Sequence, residues 1–325
     1  MFPNRVRAVT ALVFLLSLGM HLPVAAQTFP TGPVKLIVTT GAGGAPDVIA
    51  RIVADALSRR WNQQVFVTNH PGAAGAIGIK VAGTAPPDGH SLMFALSSTF
   101  VALPEIVSSF QFDLVRDFVP IGFVVEQPMA IAVSPSLGVG TLGELLAYVK
   151  QRPDQVNVAV LSRGGIPHLT AEWIKSAAGL NMTAINYPGT PQGLNDLMGG
   201  RVQVIMDGLP SLAGGIEGGT LKLIAVGSEK RLPNFPTVPT IAETLPGIFA
   251  RGFFAIMAPP GTPEPLARKI SEDLNAVMDD PAMKKKLEDI ASYTQIMTPA
   301  ALLAYVRQEQ QLWKPVIEQV GLKGP

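Results

Sequence analysis

Beyond residue 26 the chain carries three histidines, His70, His90 and His168, and no two are close enough in sequence to form a metal-binding pair. Cysteine is absent from all 325 residues, which excludes a thiol nucleophile, a disulfide framework and a thiolate-bound metal. Ser97, His168 and Asp207 supply the residue types of a nucleophilic relay. Three such residues scattered over a chain of this length are expected by chance, and no G-x-S-x-G elbow presents the serine. The chain is therefore expected not to be an enzyme and to need neither metal nor cofactor. Hydrolysis resting on Ser97, His168 or Asp207 stays as the minor alternative.

The chemistry these residues favour is capture of a small anion. Thr40, Gly41, Ala42, Gly43 and Gly44 form a glycine-rich loop after an apolar run at 34–40. Apolar residues follow at Val48, Ile49, Ile52, Val53, Ala56 and Leu57, which is helical spacing. Strand, glycine loop and helix together turn backbone N–H groups and the positive end of a helix toward an anion. The loop departs from a dinucleotide fingerprint, because Pro46 takes the third glycine position and no acid ends the next strand. It also lacks the Gly-Lys-Ser/Thr of a nucleoside-triphosphate loop. A carboxylate nest and a purely structural turn remain. Asp47 either complements the dipole of the helix it opens or contacts a ligand group such as an ammonium.

Further candidates cluster at other strand ends, where open α/β sheets place their ligands. They are Ser97, Ser98 and Thr99; Arg163, Gly164, Gly165 and His168; Tyr187, Gly189 and Thr190; and Asp207. His168 can donate to an anion or hold its own loop down. Arg163 offers a planar fork matched to a carboxylate, or is simply solvated.

The elements that must position these residues follow from pattern. Strands are predicted at 34–40, 64–68 and 91–96, with helices at 46–60 and 73–82 and a polar tip at 97–99. Two β-rich runs, 121–126 and 129–134, lead into a second set of elements. There a capping box, Thr141-x-x-Glu144, opens a helix. Strands at 156–161, 182–187, 202–206 and 221–226 alternate with helices at 169–178 and 191–198. A proline-rich loop at 232–246 precedes a strand at 253–257 and helices at 263–278, 281–290 and 299–320. Repeated β–α units predict an α/β fold with mostly parallel sheets in two lobes. Lobe 1 is expected over 27–125 plus 250–325 and lobe 2 over 126–249. Two crossovers, near Val125 and Gly252, would leave the lobes free to close as a hinge.

Composition supports an ordinary globular protein, with 47% hydrophobic and 15% charged residues. The formal charge of +1 invites no nucleic acid. Residues 1–26 read as a secretory signal peptide. Arg5 and Arg7 precede an apolar stretch from Ala8 to Met20, and Val24-Ala25-Ala26 offers small residues before a cut. An exported protein in the periplasm is the expectation.

Several longer motifs carry a resemblance. The run Val38 to Arg51 is similar to V-P-F-x-x-G-G-x-x-D-x-x-A-R, and Asn69-His70-Pro71-Gly72-Ala73-Ala74-Gly75 to N-x-P-G-A-x-G. Ala85-Pro86-Pro87-Asp88-Gly89-His90, Gly164 through His168-Leu169 with Glu172, Tyr187-Pro188-Gly189-Thr190, Asp196-Leu197-Met198-Gly199-Gly200-Arg201-Val202 and Pro236-Thr237-Val238-Pro239-Thr240 each match a further element. Together they resemble the tripartite tricarboxylate transporter substrate-binding family, the Bug receptors. The resemblance implies a type II-like periplasmic binding protein with an interlobe ligand cleft. It implies a small mono-, di- or tricarboxylate as ligand and transient docking to a membrane permease, with a membrane sensor as the alternative partner. A monomer suffices for that role. By the same likeness, the cleft is lined by the loops that hold Thr40 to Asp47, Ser97 to Thr99, Gly164 to His168, Tyr187 to Thr190, and Asp207. Thr39-Thr40 in place of Pro-Phe, Pro188 in place of a basic residue, Arg163 in place of a small polar one and Gly165 in place of Ser or Thr depart from the pattern. They leave the identity of the acid open.

Overall fold

The computed structural model describes residues 29–106, 113–161 and 163–321. The leader expected over 1–26 lies outside them. In chain order the elements are β1 (Val34–Val38), α1 (Ala45–Trp61), β2 (Val65–Asn69), α2 (Ala76–Gly83), β3 (Ser91–Leu96), α3 (Ser97–Val101), β4 (Val119–Val133), α4 (Leu142–Lys150) and β5 (Asn157–Leu161). They continue as α5 (Ile166–Ala178), β6 (Thr183–Tyr187), α6 (Thr190–Met198), β7 (Val204–Gly208), α7 (Leu209–Glu217), β8 (Lys222–Val226), β9 (Arg251–Ala258), α8 (Glu264–Met278), α9 (Pro281–Glu288) and α10 (Pro299–Val320).

Helix α1 forms where the sequence pattern asks for it. Gly44 is extended at the N-cap, Pro46 sits in the first turn where a missing N–H costs nothing, and Asn62 ends the helix in the left-handed region. Ile49, Val53 and Leu57, four apart, are buried against the sheet.

The strands run in the order β2-β1-β3-β9-β4-β7-β5-β6, with β8 also paired to β4. β4 is the long strand that joins the two lobes. Its first part pairs with β9 as far as Pro128, opposite Arg251, and Met129 to Val133 pair with β7 and β8. The two runs expected at 121–126 and 129–134 are therefore one strand. Pro128 cannot donate to a ladder, but it lies where the β9 ladder ends. The Met129 N–H then bonds the Ala250 carbonyl at 2.9 Å, which carries the chain across the junction.

The α/β two-lobed architecture is as expected, but the sheet is mixed. β1 pairs in parallel with β2 and β3, and β5 with β6 and β7. The pairings of β9 with β3 and β4, and of β4 with β7 and β8, are antiparallel. A chain that crosses between lobes on β4 and returns on β9 must run those two strands in opposite directions.

Two other differences bear on the site. Ser97 to Thr99 begin helix α3 instead of forming an open tip. Residues 209–217, with Pro210 and the pair Gly214-Gly215 inside them, fold as α7, which the sequence pattern did not indicate. α10 packs against elements of both lobes. The Gln310 amide donates to the Phe100 carbonyl at 2.9 Å, and Trp313, fully buried, meets Trp173 of α5 edge-on at 5.6 Å. Among the described residues, no helix is long and apolar enough to cross a membrane.

Candidate functional site

The loop between β1 and α1 is held by its own acid. Gly43 adopts φ +88°, the left-handed region that favours glycine, and its N–H donates to Asp47 Oδ2 at 3.0 Å. Arg51, one turn further on, donates Nε to Oδ2 at 3.1 Å and Nη2 to Oδ1 at 2.9 Å. Arg51 also reaches Asn69 Oδ1 at 3.4 Å, and Asn69 Nδ2 donates to the Thr40 carbonyl at 3.1 Å. Burial works to raise the Asp47 pKa, but the hydrogen bonds from Arg51, Gly43 and Asn69 pull it below the usual carboxylate range. Both Asp47 oxygens are thus turned into the loop and occupied. The N–H groups of Gly41, Ala42 and Gly44 have no protein partner among the described residues. The Thr39 and Thr40 hydroxyls beside them are buried without a partner.

The same tip meets the second lobe. The Ala45 N–H donates to Ser211 Oγ of α7 at 3.1 Å. A Cβ placed on Gly44 would lie 3.9 Å from Thr190 Oγ1. Asp207, at the end of β7, is only 6% exposed. Its Oδ2 accepts from Thr190 Oγ1 at 2.8 Å and its Oδ1 from the Gly208 N–H at 2.7 Å. Burial still prevails over these bonds and pushes the Asp207 pKa up to about 6.

His168 lies in the first turn of α5, after a loop in which Gly164 adopts φ +81°. The Gly164 N–H donates to His168 Nδ1 at 3.1 Å. That bond makes Nδ1 an acceptor, so the neutral ring carries its proton on Nε2. Burial lowers the His168 pKa against the pull of Glu172, and Arg163 and Lys175 lower it further. No protein partner meets Nε2 among the described residues. Gly165 is buried at the N-cap of α5, and Arg163 is exposed.

The remaining candidates divide. Tyr187 donates to Asp196 Oδ2 at 2.7 Å, and burial followed by Asp196 pushes its pKa up to about 12, so its hydroxyl braces the tip. Gly189 caps α6, whose first residue Thr190 serves Asp207. Thr99 donates to the Leu96 carbonyl at 2.5 Å, Ser98 is half-buried, and Ser97 is 3% exposed. The Ser–His–Asp relay is not assembled: Asp207 serves Thr190 and Gly208, and His168 Nδ1 serves Gly164.

Two residues at this junction carried no sequence signal. Ser211 lies in the unforeseen helix α7. Gln127 sits on β4 where the lobes meet, with its Oε1 buried and unpartnered. Its amide fills the space beside two glycines. A Cβ on Gly208 would lie 2.8 Å from Oε1, and one on Gly252 would lie 3.5 Å from Nε2 and 3.4 Å from Ser97 Oγ. Among the described residues, no group of three or more His, Cys, Asp or Glu side chains could hold a metal. Taken separately, these tips offer backbone N–H groups, hydroxyls, a carboxamide and a neutral imidazole N–H. These donors suit a small anion held by hydrogen bonds.

Comparison with known proteins agrees with that chemistry. The profile of the family described as "Tripartite tricarboxylate transporter family receptor" matches residues 49–322. Protein BugT of Bordetella pertussis is 31% identical over 313 residues, covering 96% of this chain and 96% of that protein. A structure of R. palustris Rpa4515 with adipate superposes with TM-score 0.85 at 29% identity, covering 90% of this chain and 98% of that one. MatC from Rhodopseudomonas palustris, with bound malate, gives TM-score 0.82 at 25% identity, covering 89% and 100% respectively.

Proposed function

The chain belongs to the tripartite tricarboxylate transporter receptor family, and from that premise we propose that it captures a small carboxylate in the periplasm and presents it to a membrane permease. The ligand lies between the tip of the β1–α1 loop and the tips that follow β5, β6 and β7. The observation that carries this reading is the convergence of Gly44 and Ala45 on Thr190 and Ser211 across the two lobes. Open N–H groups at Gly41, Ala42 and Gly44 face a carboxylate at the helix α1 terminus. His168 Nε2–H donates from the other lobe. Asp47 and Tyr187 keep the tips in shape. Asp207 orients Thr190, since its own carboxylate would repel that of the ligand. No step makes or breaks a covalent bond.

Closure of the lobes on β4 and β9 excludes water and raises the weight of each N–H-to-carboxylate bond. Micromolar affinity needs only about 8 kcal/mol, which several charge-assisted bonds supply after the cost of closure. The relatives' adipate and malate name the first probes. Titration calorimetry with mono-, di- and tricarboxylates, including those two acids, should find saturable binding of at least one. No heat from any carboxylate would remove the proposal.

A further inference from the structure

We infer that Ser211 is a positioning residue that latches the two lobes together by accepting the Ala45 N–H of the opposite lobe. The inference rests on the capture reading, but it assigns a residue and a role outside the anion nest.

The geometry sets the direction of the bond. A backbone N–H can only donate, so Ser211 Oγ accepts from the Ala45 N–H, which it meets at 3.1 Å. The Ser211 hydroxyl proton is left to point back toward Asp207, four residues earlier, whose acidity Ser211 helps to raise.

The contact is also placed where it can report closure. Ala45 is the first residue of α1, and Ser211 lies 166 positions away in the chain. Ala45 cannot be satisfied inside its own helix, because first-turn N–H groups have no intrahelical acceptor. When the lobes part, this N–H and the Ser211 lone pair both turn to water. When they close, the pair re-forms beside Gly44 and Thr190. The latch thus uses a helix-terminal N–H that an anion nest would otherwise claim. The ligand is left with the N–H groups of Gly41, Ala42 and Gly44.

The absence of native cysteine makes the test clean. Lys80→Cys and Asn195→Cys, both exposed and one in each lobe, carry a dye pair for single-molecule energy transfer. Ligand-free protein should populate a closed form, and Ser211→Ala should cut the closed-to-open ratio about 2- to 12-fold, the factor expected from one net hydrogen bond. Whichever carboxylate of the calorimetric series binds the wild type should bind the variant more weakly by a similar factor, through faster release. Ser211→Thr, which keeps the hydroxyl, should restore the ratio. Ala45→Pro provides an independent check by deleting the N–H. Gly44 is already extended, as a residue before proline must be, and proline is tolerated at the first helical position. It should open the lobes as Ser211→Ala does, and the double variant should be no more open than the worse single one. An unchanged closed-to-open ratio in Ser211→Ala and in Ala45→Pro would overturn the latch. If no carboxylate of the calorimetric series binds but the ratio shifts with Ser211→Ala, the latch stands and the carboxylate reading fails.

Discussion

Replacing Asp207 by asparagine isolates what it costs to keep a carboxylate at the tip of β7. In the folded protein burial raises its pKa from 3.8 to about 6, despite hydrogen bonds from Thr190, Gly208 and Ser211. The native state therefore holds the proton more tightly than the unfolded chain does. The stability this supplies is complete below 3.8 and is lost as pH rises through about 6. A gap of roughly 2 units corresponds to about 3 kcal/mol as an upper value. Asp207→Asn removes that titration while keeping one acceptor oxygen, and the Thr190 hydroxyl can turn to accept from the new amide. Urea unfolding of both proteins without ligand, at a series of pH values, gives the difference in stability. Carboxylates such as Asp47 and Asp273 titrate in both proteins and cancel. The wild type should lose up to about 3 kcal/mol relative to the variant between about pH 4 and pH 6 and hold a constant deficit above. A difference that stays flat across that range would refute the reasoning.

Other expectations follow from single contacts. His168→Ala should weaken carboxylate binding about tenfold, as loss of one buried donor to an anion does, and calorimetry reads it directly. Because burial lowers the His168 pKa below 6.5, the wild-type affinity should be flat with pH above that value as far as this ring is concerned. Asp47→Ala should cost about 1 kcal/mol of unfolding free energy, a modest figure because Arg51 is exposed. Its depressed pKa means the wild type keeps this contribution above 3.8 and loses it as pH falls through the lower folded value, which acid titration of both proteins measures. Gln127→Met removes an oxygen buried without a protein partner. Urea unfolding should show unchanged stability or a gain of about 1 kcal/mol, while affinity falls severalfold if the amide faces ligand.

Much of the architecture was written locally. β3 and α10 coincide with the expected 91–96 and 299–320 because apolar runs there are bounded by unambiguous breakers. The sequence leaves Asp47 open between complementing its helix dipole and contacting a ligand; its pairing with Arg51, four residues on, is what makes it a loop brace. The features that escaped are those set at a distance. Gln127-Pro128 reads as a break in any single strand, and only the change of partner from β9 to β7 and β8 lets β4 run through it. Residues 209–217 carry Pro210 and two adjacent glycines, a poor helix on propensity alone, and tertiary packing of Leu209 and Leu212 overrides it. Ser211 has no local mark at all, because its partner, the Ala45 N–H, lies 166 positions away in the chain. The nest was legible as a glycine loop, but not that Gly43 and Ala45 would commit their N–H groups to Asp47 and Ser211.

Mass spectrometry of the small molecule released from natively purified protein tests the central claim most directly. A carboxylate bound one per chain and recovered unaltered is the expected result. Recovery of a non-acidic ligand, or of an acid that the protein converts to a product with time, would contradict it.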